Sequence, residues 1–215
     1  MNGFLLWILI LAAGLAVLTL TPGLARRIIL LLLGEKGRAE VGQKALSSQP
    51  DRISLTPRLA SPGAEAQAIL AGLTRLGFSA AGSFAVAEMG GLPIHFMIQS
   101  KESAVAAVYE HPKAGVWLDL FTRFRDGTSF TFATSRMGGG LEQRPGHPTV
   151  RAPGLDPAAA HARFLKERPA GAMKSFALAE VPSMFADAYA EAMAWRKQVG
   201  ISAAEVQRVG MEKFK

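Results

Sequence analysis

Glu110 and His111 stand side by side, Asp119 follows in the next apolar stretch, and His95, His147 and His161 complete the residues from which an acid-base or metal site could be assembled. A carboxylate on a largely apolar face is expected to be paired or to have its pKa raised, the kind of perturbation acid-base chemistry uses. Glu110, His111, Asp119 and His95 are therefore the candidate ligand-binding or catalytic residues. Their spacing matches neither H-E-x-x-H nor any other ligand pattern, so no metal is expected. With no cysteine, the chain has no thiolate nucleophile, no Cys-ligated zinc and no disulfide framework. Neither G-x-S-x-G nor S-x-x-K occurs, Asn2 is the only asparagine, and no Lys-Ser/Thr follows Gly138 to Gly140 as a phosphate loop would require. No cofactor is expected.

The elements that must position these residues follow from periodicity. From Ala64 to Leu76, the apolar residues Ala66, Ile69, Leu70, Leu73 and Leu76 recur at helical spacing, and Gly77 closes the run. The period then shortens. Ser83 to Met89, Ile94 to Gln99, Ala104 to Glu110, Val116 to Phe124 and Ser129 to Thr134 read as strands separated by turn residues, giving a five-stranded antiparallel meander. Asp126-Gly127 favours a two-residue hairpin turn. That turn places Arg125 opposite Thr128, Phe121 opposite Phe132 and Asp119 opposite Thr134, with Glu110 and Asp119 on one face. Trp117, Phe121, Phe130 and Phe132 read as core. In this register Asp119 is expected to bond to Thr134, Arg123 or Arg136.

Both sheet faces carry large apolar residues, so both need cover. The helix from residue 64 suits one face, and the C-terminal helices suit the other. Those helices are expected from Asp156-Pro157 to about Arg168, from Pro182-Ser183 to Val199, and from the capping pattern Ser202-Ala203-Ala204-Glu205 onward. The last two resemble a helix-turn-helix in outline, but Arg208, Lys213 and Lys215 are offset by Glu205 and Glu212. A packed helical hairpin is the expected reading. The fold class is α+β, with residues 64–215 as the folded domain.

Composition places the rest. Hydrophobic residues make up 49% of the 215 and charged residues 19%, below the ~25% usual for soluble proteins. The excess is concentrated at the start. Gly3 to Leu20 is uncharged and at helical rise spans ~27 Å, close to the ~30 Å hydrocarbon core, so residues 1–23 are expected to form a transmembrane anchor. No Lys or Arg precedes this run, whereas Arg26, Arg27, Lys36, Arg38 and Lys44 follow it. Retention of basic residues on the cytoplasmic side then predicts a single-pass protein of the inner (cytoplasmic) membrane, its N-terminus outside and its C-terminal domain in the cytoplasm.

Residues 24–63 read as a basic juxtamembrane or interfacial segment and a linker, with Arg26, Arg27, Lys36 and Arg38 facing the membrane surface. The net charge of +7 is scattered, with no basic block interleaved with aromatics, so no nucleic-acid partner is expected. The expected partners are the lipid bilayer and a membrane-associated protein or lipid. The function expected from this pattern is a membrane-anchored cytoplasmic binding or scaffold module. The alternative is a membrane-associated small-molecule or lipid-processing enzyme using Glu110, His111 and Asp119.

Overall fold

The computed structural model describes residues 32–136 and 139–211. The expected anchor at 1–23 and the arginines Arg26 and Arg27 lie outside the described residues. Among the described residues, no helix is long and apolar enough to cross a membrane. The described residues divide into two compact units, one of residues 32–46, 139–141 and 200–211 and the other of residues 47–136 and 142–199.

The first unit holds α1 (Gly34–Ser47), all but its last residue, and α5 (Ala203–Met211). Helix α1 lies within residues 24–63, a stretch that shows little helical periodicity in sequence. Its buried positions are Gly42 and Leu46, so the large apolar stripe that advertises a helix is missing. A Cβ on Gly42 would lie 2.9 Å from Val206 Cγ2 and 3.0 Å from the Ile201 carbonyl oxygen, so glycine here permits close approach of α5. At the start of α5 the expected capping box is present. The Glu205 N–H donates to Ser202 Oγ at 3.2 Å, and the Ser202 N–H donates to Glu205 Oε2 at 2.9 Å.

The second unit is built on a seven-stranded sheet, in order β1 (Leu55–Pro57), β2 (Ser79–Val86), β3 (Leu92–Gln99), β4 (Ala104–His111), β5 (Gly115–Arg123), β6 (Ser129–Ala133) and β7 (Thr149–Arg151). The expected antiparallel meander forms β2 to β6. It is extended by β1, antiparallel at one edge, and by β7, parallel to β6 at the other, so the sheet is larger than five strands and mixed. Strands this short present too little alternation to read from sequence.

Helices α2 (Ala64–Arg75) and α3 (Pro157–Glu167) cover one face, where Leu73 and Phe164 join Val108, Leu118, Leu120, Phe130 and Phe132 in the core. Helix α4 (Val181–Val199) covers the other, with Val181, Met184 and Ala186 packing on Ile94, Phe96, Val105 and Ala107. Its Phe185 ring lies 4.9 Å from Phe96 and 6.4 Å from Tyr109. Asp156 caps α3, accepting the Ala159 N–H at 2.8 Å just before Pro157.

The β5–β6 register differs from the expected one by a single residue. The Phe124 N–H donates to the Thr128 carbonyl at 2.9 Å, and the Gly127 N–H donates to the Phe124 carbonyl at 3.2 Å. The loop is therefore three residues, Arg125-Asp126-Gly127, with Gly127 at φ +90°. Leu120 pairs with Phe132, Phe121 with Thr131 and Asp119 with Ala133. The β4–β5 pairing sets the face of Asp119, which stands opposite Ala107 on the α4-covered side, whereas Glu110 stands opposite Val116. Asp119 does not share a face with Glu110.

Candidate functional site

A hydrogen-bonded line of three polar side chains crosses β2, β3 and β4 on the face covered by α2 and α3. Ser83 and His95 are directly opposed in the β2–β3 pairing. His95 is opposed on its other side by Val108, and Glu110 lies two positions further along β4, so the three residues share a face. Ser83 Oγ lies 2.8 Å from His95 Nδ1, and His95 Nε2 lies 2.7 Å from Glu110 Oε1. The second carboxylate oxygen, Oε2, accepts the N–H of Gly63 at 2.8 Å. Gly63 is the N-cap residue of α2, so the line is fastened at one end to the start of that helix.

The contacts dictate the tautomer. Glu110 only accepts, so the His95 proton sits on Nε2, which leaves the Nδ1 lone pair to receive the Ser83 hydroxyl hydrogen. His95 is 1% exposed and Ser83 is half-buried. Burial pushes the Glu110 carboxyl up, but the hydrogen bonds from His95 and Gly63 and the charge of Arg58 outweigh it and hold the group below the ordinary range. Hydroxyl, imidazole and carboxylate in this order form the arrangement by which a serine loses its proton as it attacks an acyl centre.

The other expected site residues lie apart from this line. His111, at the end of β4, accepts the Lys113 and Ala114 N–H groups on Nδ1 at 3.1 and 2.9 Å, and so closes the β4–β5 turn. Asp119 lies on the opposite face, with Tyr109 and Arg151 as neighbours in place of the expected Thr134, Arg123 or Arg136. Burial raises its carboxyl to about 7 against the opposing pull of Arg151 and the Tyr109 hydroxyl, and its Oδ1 has no hydrogen-bond partner. The Tyr109 ring stacks on Trp117 at 4.7 Å.

The two remaining histidines have separate structural surroundings. His147 Nδ1 pairs with Ser129 Oγ at 2.8 Å, and burial together with Arg144 and Arg123 lowers its basicity. His161 packs edge-on against Phe78 and is likewise lowered by burial. Lys36 is exposed on α1 and Arg38 is half-buried there. Among the described residues, no group of three His, Cys, Asp or Glu side chains could hold a metal.

Sequence reasoning missed Ser83, Tyr109 and Arg151. Serine, tyrosine and arginine at these positions carry no motif, and they join the titratable residues only through strand register. An open groove of about 400 Å³ was equally invisible. It runs beside the first half of α4, with Arg125, Lys174 and Ser175 among its lining residues together with Glu180, Ser183 and Asp187. Paired backbone bonds stiffen its floor. The Arg125 N–H donates to the Ala172 carbonyl and the Lys174 N–H to the Arg123 carbonyl, each at 2.8 Å. No family model, no curated protein and no solved structure matches this chain.

Proposed function

We propose that the chain is a binding module tethered at the inner (cytoplasmic) membrane by its N-terminal apolar run, with the groove beside α4 as its docking surface for a membrane-associated protein. The groove carries this reading. Its lining mixes exposed cations, Arg125 and Lys174, with carboxylates at Glu180 and Asp187, which suits an extended polypeptide bearing both signs of charge better than an acyl chain. Tethering supports the same reading because it raises the local concentration of any partner in the same membrane.

The test is a photo-crosslinking amino acid placed at Lys174 or Asp187 of the full chain in its membranes. A discrete adduct that is absent when the label replaces Arg163, on α3 against the other sheet face, is the expected result, and R125E should weaken it. Equal capture from both positions would refute the groove. The Glu110–His95 contact favours a second reading, a membrane-associated enzyme, with the chemistry moved from Asp119 and His111 to the covered face of β2 to β4.

A further inference from the structure

The geometry points to Ser83 as a nucleophile toward carboxylic esters, with His95 as its general base and Glu110 as the residue that positions the ring. This rests on the second reading above. The nucleophile-to-base and base-to-carboxylate separations are 2.8 and 2.7 Å, both within the range required for proton transfer. The carboxylate is itself anchored by the Gly63 N–H, so the base is held by a group that is in turn held.

Access to Ser83 comes from a defect in the sheet. The β2–β3 register slips between Ala80 and Gly82, a β-bulge directly ahead of the serine, and bulges re-aim neighbouring side chains. The short strand β1 pairs with β2 only from Phe84 to Val86, and the Arg58 N–H adds one bond to the Ser83 carbonyl at 2.8 Å. From Ser79 to Gly82 the outer edge of β2 therefore has no strand beside it among the described residues. Arg58 is a nearby cation, and the fully exposed Leu59 offers an apolar contact for an acyl chain.

The step balances without a cofactor. Ser83 Oγ forms a bond to the acyl carbon while its proton passes to His95 Nδ1. The ester C–O bond then breaks, and the leaving alkoxide takes that proton. Water, deprotonated by the same nitrogen, releases the acid and restores the serine.

The experiment uses the full chain in detergent micelles, a fluorophosphonate probe with peptide mapping of the adduct, and hydrolysis of p-nitrophenyl butyrate. Labelling at Ser83 that S83A abolishes, with the melting temperature unchanged, is the expected result. E110Q leaves one oxygen to serve both His95 and Gly63, and an amide donor turned toward His95 enforces the wrong tautomer. Hydrolysis should fall about 10²-fold with a changed pH profile. A purely structural network would leave Ser83 unlabelled in the wild-type chain. A label on another serine, or no label, overturns the assignment. Hydrolysis that survives S83A would overturn it while leaving an enzyme elsewhere in the chain, and absence of both label and hydrolysis would remove the enzyme reading as well.

Discussion

Replacing Asp119 with asparagine should stabilise the protein at neutral and alkaline pH and leave it no more stable in acid. In the folded state burial raises this carboxyl from 3.8 to about 7, with Arg151 and the Tyr109 hydroxyl opposing the rise. Between those two values the folded chain binds more protons than the unfolded chain, so the contribution of this group to stability falls as pH rises and levels off above about 7. Such a displacement sets a ceiling of ~4 kcal/mol on the cost of ionising Asp119 in place. Part of that gain is lost in the variant, because its amide meets the unpartnered position now occupied by Oδ1. The net gain at pH 8 should be ~1–3 kcal/mol. Denaturant unfolding followed by tryptophan fluorescence is a suitable assay, since Trp117 stacks on Tyr109, the neighbour of Asp119. The informative quantity is the wild-type minus D119N difference, because the lowered basicity of half-buried His147 and buried His161 adds its own rise of stability with pH. A difference that stays constant from pH 4 to pH 8, or a variant less stable at pH 8, would refute a neutral, desolvated Asp119.

Gly63→Ala should destabilise the second unit by ~1–2 kcal/mol in thermal unfolding, because the new Cβ would lie 2.6 Å from Glu110 Oε2 and disturb the His95–Glu110 contact. Phe132→Ala empties a fully buried site between β6 and its neighbours and should cost ~3–5 kcal/mol in denaturant unfolding. Asp156→Ala removes the N-cap of α3 and should cost ~1 kcal/mol, with D156N restoring most of it.

The central strands were readable because short runs rich in Val, Ile, Phe, Tyr, Trp and Thr lie between well-marked turns, and α2, α3 and α4 because their apolar residues recur at helical spacing. Helix α1 was not readable, since a glycine and a single leucine make its buried face. The hairpin at Asp126-Gly127 shows how a correct local signal misplaces a site. A two-residue and a three-residue loop share the same Asp-Gly pair, yet choosing between them decides whether Asp119 stands opposite Thr134 or Ala133. His95 and Glu110 stood out as titratable residues. Ser83 did not, because its partnership depends on a cross-strand register that spans a bulge no local pattern reveals.

Strands β1 to β7 lie in the sheet in the order in which they occur in the chain. Each new strand can zip onto the one just completed, so loop-closure entropy is paid in small instalments and few distant segments must find each other. The parallel rung of β7 on β6 breaks the pattern, because residues 134–148 must first loop back. Folding of this unit should accordingly proceed rapidly through the meander, with the far edge and its return loop closing last.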